Sequence, residues 1–106
     1  MNILNGWAEI GRLDDIPMRG ARTVATAFGD IAVFRTGEDR VYAVRDRCPH
    51  KGGPLSAGIV HGDKVTCPLH NWVIDLASGE ADAPDEGQTA CFQVRVQDGA
   101  VWLKLS

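Results

Sequence analysis

Two short segments of this chain each place a thiol and an imidazole within a few residues of one another. The first reads Cys48-Pro49-His50 and the second reads Cys67-Pro68-Leu69-His70, with residues 51–66 between them. Cysteine thiolate and histidine imidazole are strong ligands for transition metals, and four such groups are enough for a metal site. The sequence therefore predicts that the chain turns back on itself between the two segments and brings them together around a metal.

The segment between the two pairs has the pattern that such a return requires. Ile59–His61 and Lys64–Thr66 are predicted as short strands, and Gly62-Asp63 between them is a two-residue turn signal. A hairpin at this point would place the first thiol–imidazole pair beside the second at one tip. Asn71–Leu76 is predicted to continue as a third strand, which ends at Ser78-Gly79.

The rest of the chain is predicted as short strands separated by turn residues, without a convincing helix. The clearest unit has alternating apolar residues from Phe92 to Val96 and from Val101 to Leu105, joined by Asp98-Gly99. This alternation predicts an antiparallel hairpin with one buried face. The other predicted strands are Trp7–Ile10, Arg22–Phe28, Ile31–Arg35 and Val41–Val44, with turns at Leu13–Pro17, Gly29-Asp30 and Gly37-Glu38-Asp39.

Length and charge restrict the kinds of protein and partner that fit this chain. It has 106 residues, which predicts one domain, and its net charge of −3 gives no basic surface for nucleic acid. No apolar run approaches the length of about 18 residues that spans a membrane, and the start lacks the pattern of a secretory signal. Three cysteines, two of them needed as thiolates, suit a reducing compartment. We therefore expect a cytoplasmic protein without nucleic-acid or membrane partners.

The ligand types leave more than one kind of metal site open. A tetrahedral zinc site accepts two cysteines and two histidines, but its common pattern groups the cysteines in one pair and the histidines in the other. In a mixed-ligand 2Fe–2S centre, two cysteines hold one iron and two histidines hold the other. One cysteine and one histidine in each segment favours the iron–sulfur cluster. A catalytic Cys–His pair would leave the second matched pair unexplained.

The C-x-H and C-x-x-H segments resemble the binding motif of the Rieske iron–sulfur family. The resemblance covers nearly the whole chain, although its specificity rests on residues 48–80. It implies an all-β fold in a single domain, residues 1–106, in which an antiparallel β base carries an inserted cluster-binding subdomain at about residues 45–86. It also implies one 2Fe–2S cluster and a non-catalytic electron-transfer role. The implied ligands are Cys48, His50, Cys67 and His70.

Two kinds of Rieske protein fit the motif, and they differ in their partners. Residues 50–56, 58–60 and 67–72 most resemble the small subunit of assimilatory NAD(P)H-dependent nitrite reductase. That resemblance implies a large flavin- and sirohaem-bearing partner subunit and a part in the reduction of nitrite to ammonium. The alternative is the ferredoxin component of an aromatic ring-hydroxylating dioxygenase system, with an oxygenase and a reductase as partners.

Several residues near the motif carry weaker predictions. Backbone amides of Gly52, Gly53 and residues 69–72 are candidate donors to cluster sulfurs. In Rieske proteins a third loop with a proline covers the cluster, and Pro84 is the candidate for it here. Trp72, next to the last ligand, is predicted to pack or to shield the cluster.

Other residues are predicted from composition alone. Cys91 opens an alternating strand and is expected to be a small buried thiol, and His61 is expected to be solvated. An acidic stretch follows the second ligand pair and is a candidate for steering a partner. Its residues are Asp75, Glu80, Asp82, Asp85 and Glu86.

Overall fold

The computed structural model describes residues 2–4, 6–27, 29–49, 52–68, 71–83 and 85–104. Over these residues the fold is all-β and consists of three antiparallel sheets, with helical structure limited to the short 3-10 turns Leu13–Asp15 and Leu55–Ala57. The strands are β1 (Asn2–Leu4), β2 (Trp7–Arg12), β3 (Gly20–Thr26), β4 (Gly29–Arg35), β5 (Val41–Arg45), β6 (Ile59–His61), β7 (Lys64–Thr66), β8 (Val73–Asp75), β9 (Cys91–Phe92), β10 (Val94–Gln97) and β11 (Ala100–Lys104).

Two four-stranded sheets form the base of the molecule. Their strand orders are β1-β2-β11-β10 and β3-β4-β5-β9. Val101 and Leu103 of the first sheet and Ile31 and Val33 of the second are fully buried in one shared cluster. These residues lie at alternate positions of their strands, so one face of each sheet supplies this core. The base is therefore a sandwich closed by apolar side chains.

The third sheet, β6-β7-β8, is inserted between β5 and β9 and packs on the other face of β4. Ala32 and Phe34 of β4 are fully buried against Val65 and Ile74 of the inserted sheet. Successive side chains of a strand point to opposite faces, so β4 contributes to both cores and is apolar at four consecutive positions, 31–34. This strand fixes the inserted sheet to the base.

The hairpin predicted between the two ligand segments is confirmed. β6 and β7 have the predicted bounds, and His61 pairs with Lys64 across the turn at Gly62-Asp63. The third predicted strand is present but shorter than predicted, and forms β8. No helix in the described ranges is both long and apolar enough to cross a membrane.

The terminal hairpin is confirmed at its turn but not over its full predicted length. Gln97 pairs with Ala100, and Asp98 and Gly99 both have positive φ, 53° and 79°, as a two-residue hairpin turn requires. Phe92, however, belongs to β9, which pairs with β5 in the other sheet. The predicted strand is thus divided between two sheets. The second part, β10, is an edge strand of its sheet, and Val96 in it is 40% exposed.

The predicted turn at Gly29-Asp30 is wrong. Thr26 pairs with Gly29, so both turn candidates belong to β4 and the chain reverses two residues earlier. This register places Val24 directly opposite Ile31, and both side chains lie in the base core. Burial of these two residues outweighs the local turn signal because a shifted register would move apolar side chains to the wrong positions.

Candidate metal centre

The two cysteines of the predicted site are both buried in the core of the inserted sheet. Cys67 follows β7 directly, and Cys48 lies three residues after β5. Their exposed fractions are 1% and 2%, and both belong to the core cluster that contains Leu55 and Val65. Neither cysteine forms a disulfide. The fold therefore brings two buried thiols from distant parts of the sequence into one cluster.

Cys48 begins a loop that is closed by two backbone hydrogen bonds. Its N–H donates to the carbonyl of Gly53 over 2.7 Å, and its own carbonyl accepts from the N–H of Gly52 over 2.9 Å. Gly52 has φ +74°, in the left-handed region that glycine adopts without steric cost. We call residues 48–53 the first ring.

Cys67 begins a second loop with the same bonding pattern. Its N–H donates to the carbonyl of Trp72 over 2.7 Å, and its carbonyl accepts from the N–H of Asn71 over 3.1 Å. Asn71 has φ +58° and is one of the few residues besides glycine that tolerate this conformation. We call residues 67–72 the second ring. Each ring joins residue i to residue i+5 and residue i+4 to residue i, so the two cysteines begin equivalent backbone frames.

The predicted histidine ligands His50 and His70 lie outside the described residues, as does Pro84 of the predicted third loop. In the part of the chain that is described, no group of three or more His, Cys, Asp or Glu side chains could hold a metal ion. The donor set that the structure does describe, two buried thiols on matching rings, fits the thiolate half of an iron–sulfur site.

Two of the candidate donor amides are already used within the rings. The N–H groups of Gly52 and Asn71 donate to the carbonyls of Cys48 and Cys67. These bonds shape the rings. Each of the two N–H groups already donates its one hydrogen to a carbonyl rather than to a cluster sulfur.

A third segment packs against both rings. A Cβ placed on Gly87 would lie 3.0 Å from Cβ of Pro49 and 3.4 Å from Cζ3 of Trp72. The segment is closed by a hydrogen bond of 2.9 Å from the N–H of Ala81 to the carbonyl of Gly87. Trp72 also packs on the core of the inserted sheet, which confirms the packing role predicted for it. Gly87 thus allows this segment to approach Pro49 of the first ring and Trp72 of the second closely.

A clamp that the sequence did not predict holds the first ring in place. The carboxylate of Asp46 accepts hydrogen bonds from the N–H and the hydroxyl of Ser56, each over 2.7 Å. Asp46 precedes the first ring and Ser56 lies in the 3-10 turn that follows it, so the clamp joins the two ends of the segment. Ten residues separate the partners, and no local sequence pattern signals a bond over that distance.

Cys91 is exposed, and its predicted burial is wrong. It lies in the two-residue edge strand β9, which leaves much of the residue open to solvent. Its sulfur nevertheless lies against the backbone, 2.8 Å from the position that a Cβ on Gly79 would take. This partial burial raises the pKa of the Cys91 thiol, and the nearby Asp75 carboxylate raises it further. His61 is exposed, as predicted, and its Nε2 shares a hydrogen bond of 2.7 Å with the hydroxyl of Thr66.

The acidic stretch divides into carboxylates that have partners in the chain and carboxylates that face solvent. Asp82 forms an ion pair of 2.5 Å with Lys64, and its hydrogen bond raises the pKa of the lysine. Asp75 accepts hydrogen bonds from the N–H groups of Ala77 and Ser78. Glu80 and Glu86 are exposed. Both line a cavity of about 370 Å³ together with Ala81, Gly87 and Gln88.

Comparison with known proteins identifies a family over most of the chain. A sequence profile described as "Rieske [2Fe-2S] domain" matches residues 6–93. The curated relative ferredoxin CarAc of Metapseudomonas resinovorans is 35% identical over 99 residues, which cover 92% of this chain and 92% of the relative. Three longer curated relatives are matched over only 19%, 22% and 23% of their own length.

Two solved structures have the same fold and enough sequence identity to support more than the fold. One is a chain in the complex of reduced oxygenase and oxidized ferredoxin in carbazole 1,9a-dioxygenase. It has a TM-score of 0.83 and 28% identity, and the match covers 95% of this chain and 94% of that one. The other is described provisionally as the small subunit of an NADPH nitrite reductase. It has a TM-score of 0.81 and 29% identity, with 92% and 96% covered.

Proposed function

Because this chain belongs to the Rieske [2Fe-2S] domain family, we propose that it is the ferredoxin component of a ring-hydroxylating oxygenase system. Membership of the family implies one 2Fe–2S cluster, and the chain is a Rieske electron-transfer protein. The observation that carries the finer proposal is the match to ferredoxin CarAc over nine-tenths of both chains, 92% in each case. The complex of oxygenase and ferredoxin in carbazole 1,9a-dioxygenase supports the same assignment.

We propose that Cys48 and Cys67 bind one iron of the cluster and that His50 and His70 bind the other. When bound, such a cluster accepts and donates one electron at a time. The chain contributes the frame: the two rings hold both thiols at fixed backbone positions, and their burial keeps water from the sulfur side. Neutral imidazoles at the second iron would leave the oxidised centre with less negative charge than four thiolates, which favours its reduction.

A second candidate function is the small subunit of NAD(P)H-dependent nitrite reductase. The specific observation in its favour is the structural match to a protein described in this way, with a TM-score of 0.81 and 29% identity. Its partner would be the large flavin- and sirohaem-bearing subunit. The comparisons support the ferredoxin proposal better, because the curated ferredoxin relative is the more similar in sequence, at 35%.

We also propose that residues 1–106 form one domain in which residues 45–86 carry the cluster, and that the protein acts in the cytoplasm without catalytic residues of its own. The chain would then supply electrons to a partner that performs the chemistry. The three-residue strands of the inserted sheet support a structure dedicated to presenting two loops.

Reconstitution with each kind of partner tests the proposal. Holoprotein is added to an oxygenase and its reductase, and separately to a sirohaem reductase with NADH and NADPH. We expect product formation from the oxygenase only when this chain is present, and none with Cys67→Ser, which removes a thiolate ligand. Support of nitrite reduction without support of the oxygenase would establish the second candidate instead.

A further inference from the structure

A cavity on one side of the first ring carries two arginines. It has a volume of about 500 Å³ and contacts the ring at Cys48, Pro49 and Gly52, while Arg45 and Arg47 supply its charge. Residues 88–90 also line the cavity. The cavity therefore opens directly beside one of the proposed cluster ligands.

The two arginines are among the cations that form no ion pair with a carboxylate of the described residues. Arg35, Arg40 and Lys64 each form an ion pair with an Asp or Glu. Arg45 and Arg47 are exposed, and neither forms an ion pair with a residue that the structure describes. The carboxylate of Asp46, between them in sequence, is held by Ser56 instead. Their positive charge is thus available to a partner.

Backbone hydrogen bonds fix the main chain of Arg45, and the guanidinium of Arg47 lies against Gly52. The backbone of Arg45 donates its N–H to the carbonyl of Ala90 over 2.8 Å, and its carbonyl accepts from the N–H of Arg47 over 2.7 Å. The guanidinium of Arg47 lies over the ring, with Nε 3.1 Å from the position that a Cβ on Gly52 would take. A side chain at residue 52 would displace it. A guanidinium that is already positioned loses less conformational entropy when it binds a carboxylate.

The neighbouring cavity has the opposite charge. Gln88 lines both cavities, with the arginines on one side of it and Glu80 and Glu86 on the other. A polyanion would be repelled by the two glutamates. A partner protein whose carboxylates face the arginines and whose cations face the glutamates would complement both cavities. Such charge complementarity speeds association and fixes the orientation of the complex.

We propose that the Arg45–Arg47 cavity is the docking site for a carboxylate-bearing surface of the protein redox partner. The inference rests on the proposed electron-transfer function and adds which side of the centre the partner recognises. Arginine binds carboxylates through two parallel hydrogen bonds in one plane. It is also enriched among the residues that contribute most of the binding free energy of protein interfaces. Glu80 and Glu86 then orient the same partner by attracting its cationic side chains.

Small charged oxidants test the charge of this site without a protein partner. Holoprotein reduced with dithionite is mixed with ferricyanide, an anion, or with hexaammineruthenium(III), a cation, and each oxidant accepts one electron. We expect Arg45→Glu and Arg47→Glu to slow oxidation by ferricyanide roughly three- to tenfold at low salt and to speed oxidation by the ruthenium complex. Both effects should shrink at high salt. Arg47→Lys, which keeps the charge, should react like the native protein.

Arg19→Glu is the matched control. Arg19 is exposed, lies by the turn before β3, and forms no ion pair with a described residue, so its reversal changes net charge by the same amount. The visible spectrum of each variant verifies that the cluster is retained. An equal effect of Arg19→Glu would show a general charge effect and overturn the proposal. Unchanged ferricyanide rates in Arg45→Glu and Arg47→Glu would also overturn it.

The protein partner gives the second measurement. With the partner that the native protein supports in reconstitution, the double variant Arg45→Glu/Arg47→Glu should raise KM for this protein about tenfold or more at low salt while changing kcat little. Native-like KM in the double variant would overturn the docking site and leave the proposed function standing. If the native protein supports neither partner, the proposed function fails, and the oxidant rates still decide whether the arginines form an anion-recognising site.

Discussion

The three cysteines of this chain occupy two different environments. Cys48 and Cys67 are almost fully buried and begin the two rings, whereas Cys91 is exposed in a short edge strand. Thiolates bound to iron do not react with disulfide reagents. Iron binding and burial would therefore both protect Cys48 and Cys67, whereas Cys91 is exposed. The environments therefore separate the proposed ligands from the remaining thiol.

We predict that folded holoprotein has one thiol that reacts with a disulfide reagent, and that cluster removal under denaturing conditions reveals all three. The raised pKa of Cys91 should make it react more slowly than an open thiol near pH 8 and faster as the pH increases, because the thiolate is the reactive form. Ellman titration measures both. Cys91→Ser should leave no reactive thiol in the folded protein. Two reactive thiols in native holoprotein would contradict the proposed ligands.

A second residue-scale prediction concerns the reduction potential. High-potential Rieske proteins carry an additional cysteine in each loop, and this chain has Leu69 in the second loop and no cysteine among residues 51–53 of the first. The amides of Gly52 and Asn71 are also committed to ring carbonyls. Fewer donors to the cluster sulfurs stabilise the reduced state less, so we expect about −150 to 0 mV, the low end of the Rieske range. Voltammetry that gives a value well above this interval would refute the argument.

At this scale, a local motif predicts candidate ligands, whereas contacts made across the fold have no sequence pattern that predicts them. The thiol–imidazole pairs have a spacing that indicates their chemistry. The hydrogen bonds that Ser56 donates to Asp46 have no such pattern, because they depend on how the chain folds back around the first ring. The exposure of Cys91 depends on the sheet in which its strand ends, which alternation alone does not specify.

Among the elements, the β6–β7 hairpin has the most direct effect on the centre. It leads directly into Cys67 of the second ring, and Gly58, the residue before β6, faces the partner strand. A Cβ on Gly58 would lie 2.4 Å from the carbonyl oxygen of Thr66 and 2.8 Å from Cγ2 of Val65. Thr66 immediately precedes Cys67, so a displacement there would move a proposed ligand.

We predict that Gly58→Ala lowers the free energy of unfolding by about 1–3 kcal/mol and weakens cluster retention, because the added methyl group overlaps the backbone of β7. Gly58 has φ −81°, so the cost is steric rather than conformational. Gly62→Ala is the control: nothing lies within 4 Å of its Cβ, and only its φ of +58° is unfavourable. Chemical unfolding followed by circular dichroism measures both, while iron content reports the cluster. A larger iron loss in Gly62→Ala would contradict the prediction.

The elements themselves were largely predictable where a turn signal and the burial pattern agree. At Gly62-Asp63 and Asp98-Gly99 they agree, and both turns form as predicted. At Gly29-Asp30 they disagree, and the pairing of Val24 with Ile31 decides the register. The transfer of the chain from one sheet to the other after Phe92 is a tertiary feature, and its sequence pattern is the same as that of one continuous strand.

In the whole molecule, Tyr42 lies where the base meets the inserted sheet. It belongs to β5 and packs against the core of the inserted sheet. Nearby, Arg40 at the end of the β4–β5 turn forms an ion pair of 2.7 Å with Asp63 in the β6–β7 turn. Burial, with the Asp63 charge, raises the pKa of Tyr42.

This position predicts a loss of stability in alkali. Because the folded pKa of Tyr42 is raised, the unfolded chain loses the phenolic proton first as the pH rises, and the folded state becomes relatively less stable. Stability should therefore be independent of this group below about pH 10, the ordinary tyrosine value, and should fall above it. Unfolding measured from pH 8 to 11 should show a steeper decline in the native protein than in Tyr42→Phe. Parallel curves would contradict the prediction.

The equal size of the two rings has a consequence for how the centre can be changed. In sequence the two segments differ, because one residue separates cysteine from histidine in the first and two residues separate them in the second. The closing hydrogen bonds are nevertheless the same, from residue i to i+5 and from i+4 to i. The repeated unit is therefore a six-residue backbone module rather than a ligand spacing. The sequence of one ring could therefore be substituted for that of the other. The position of histidine within a loop could then be changed while the closing hydrogen bonds stay the same.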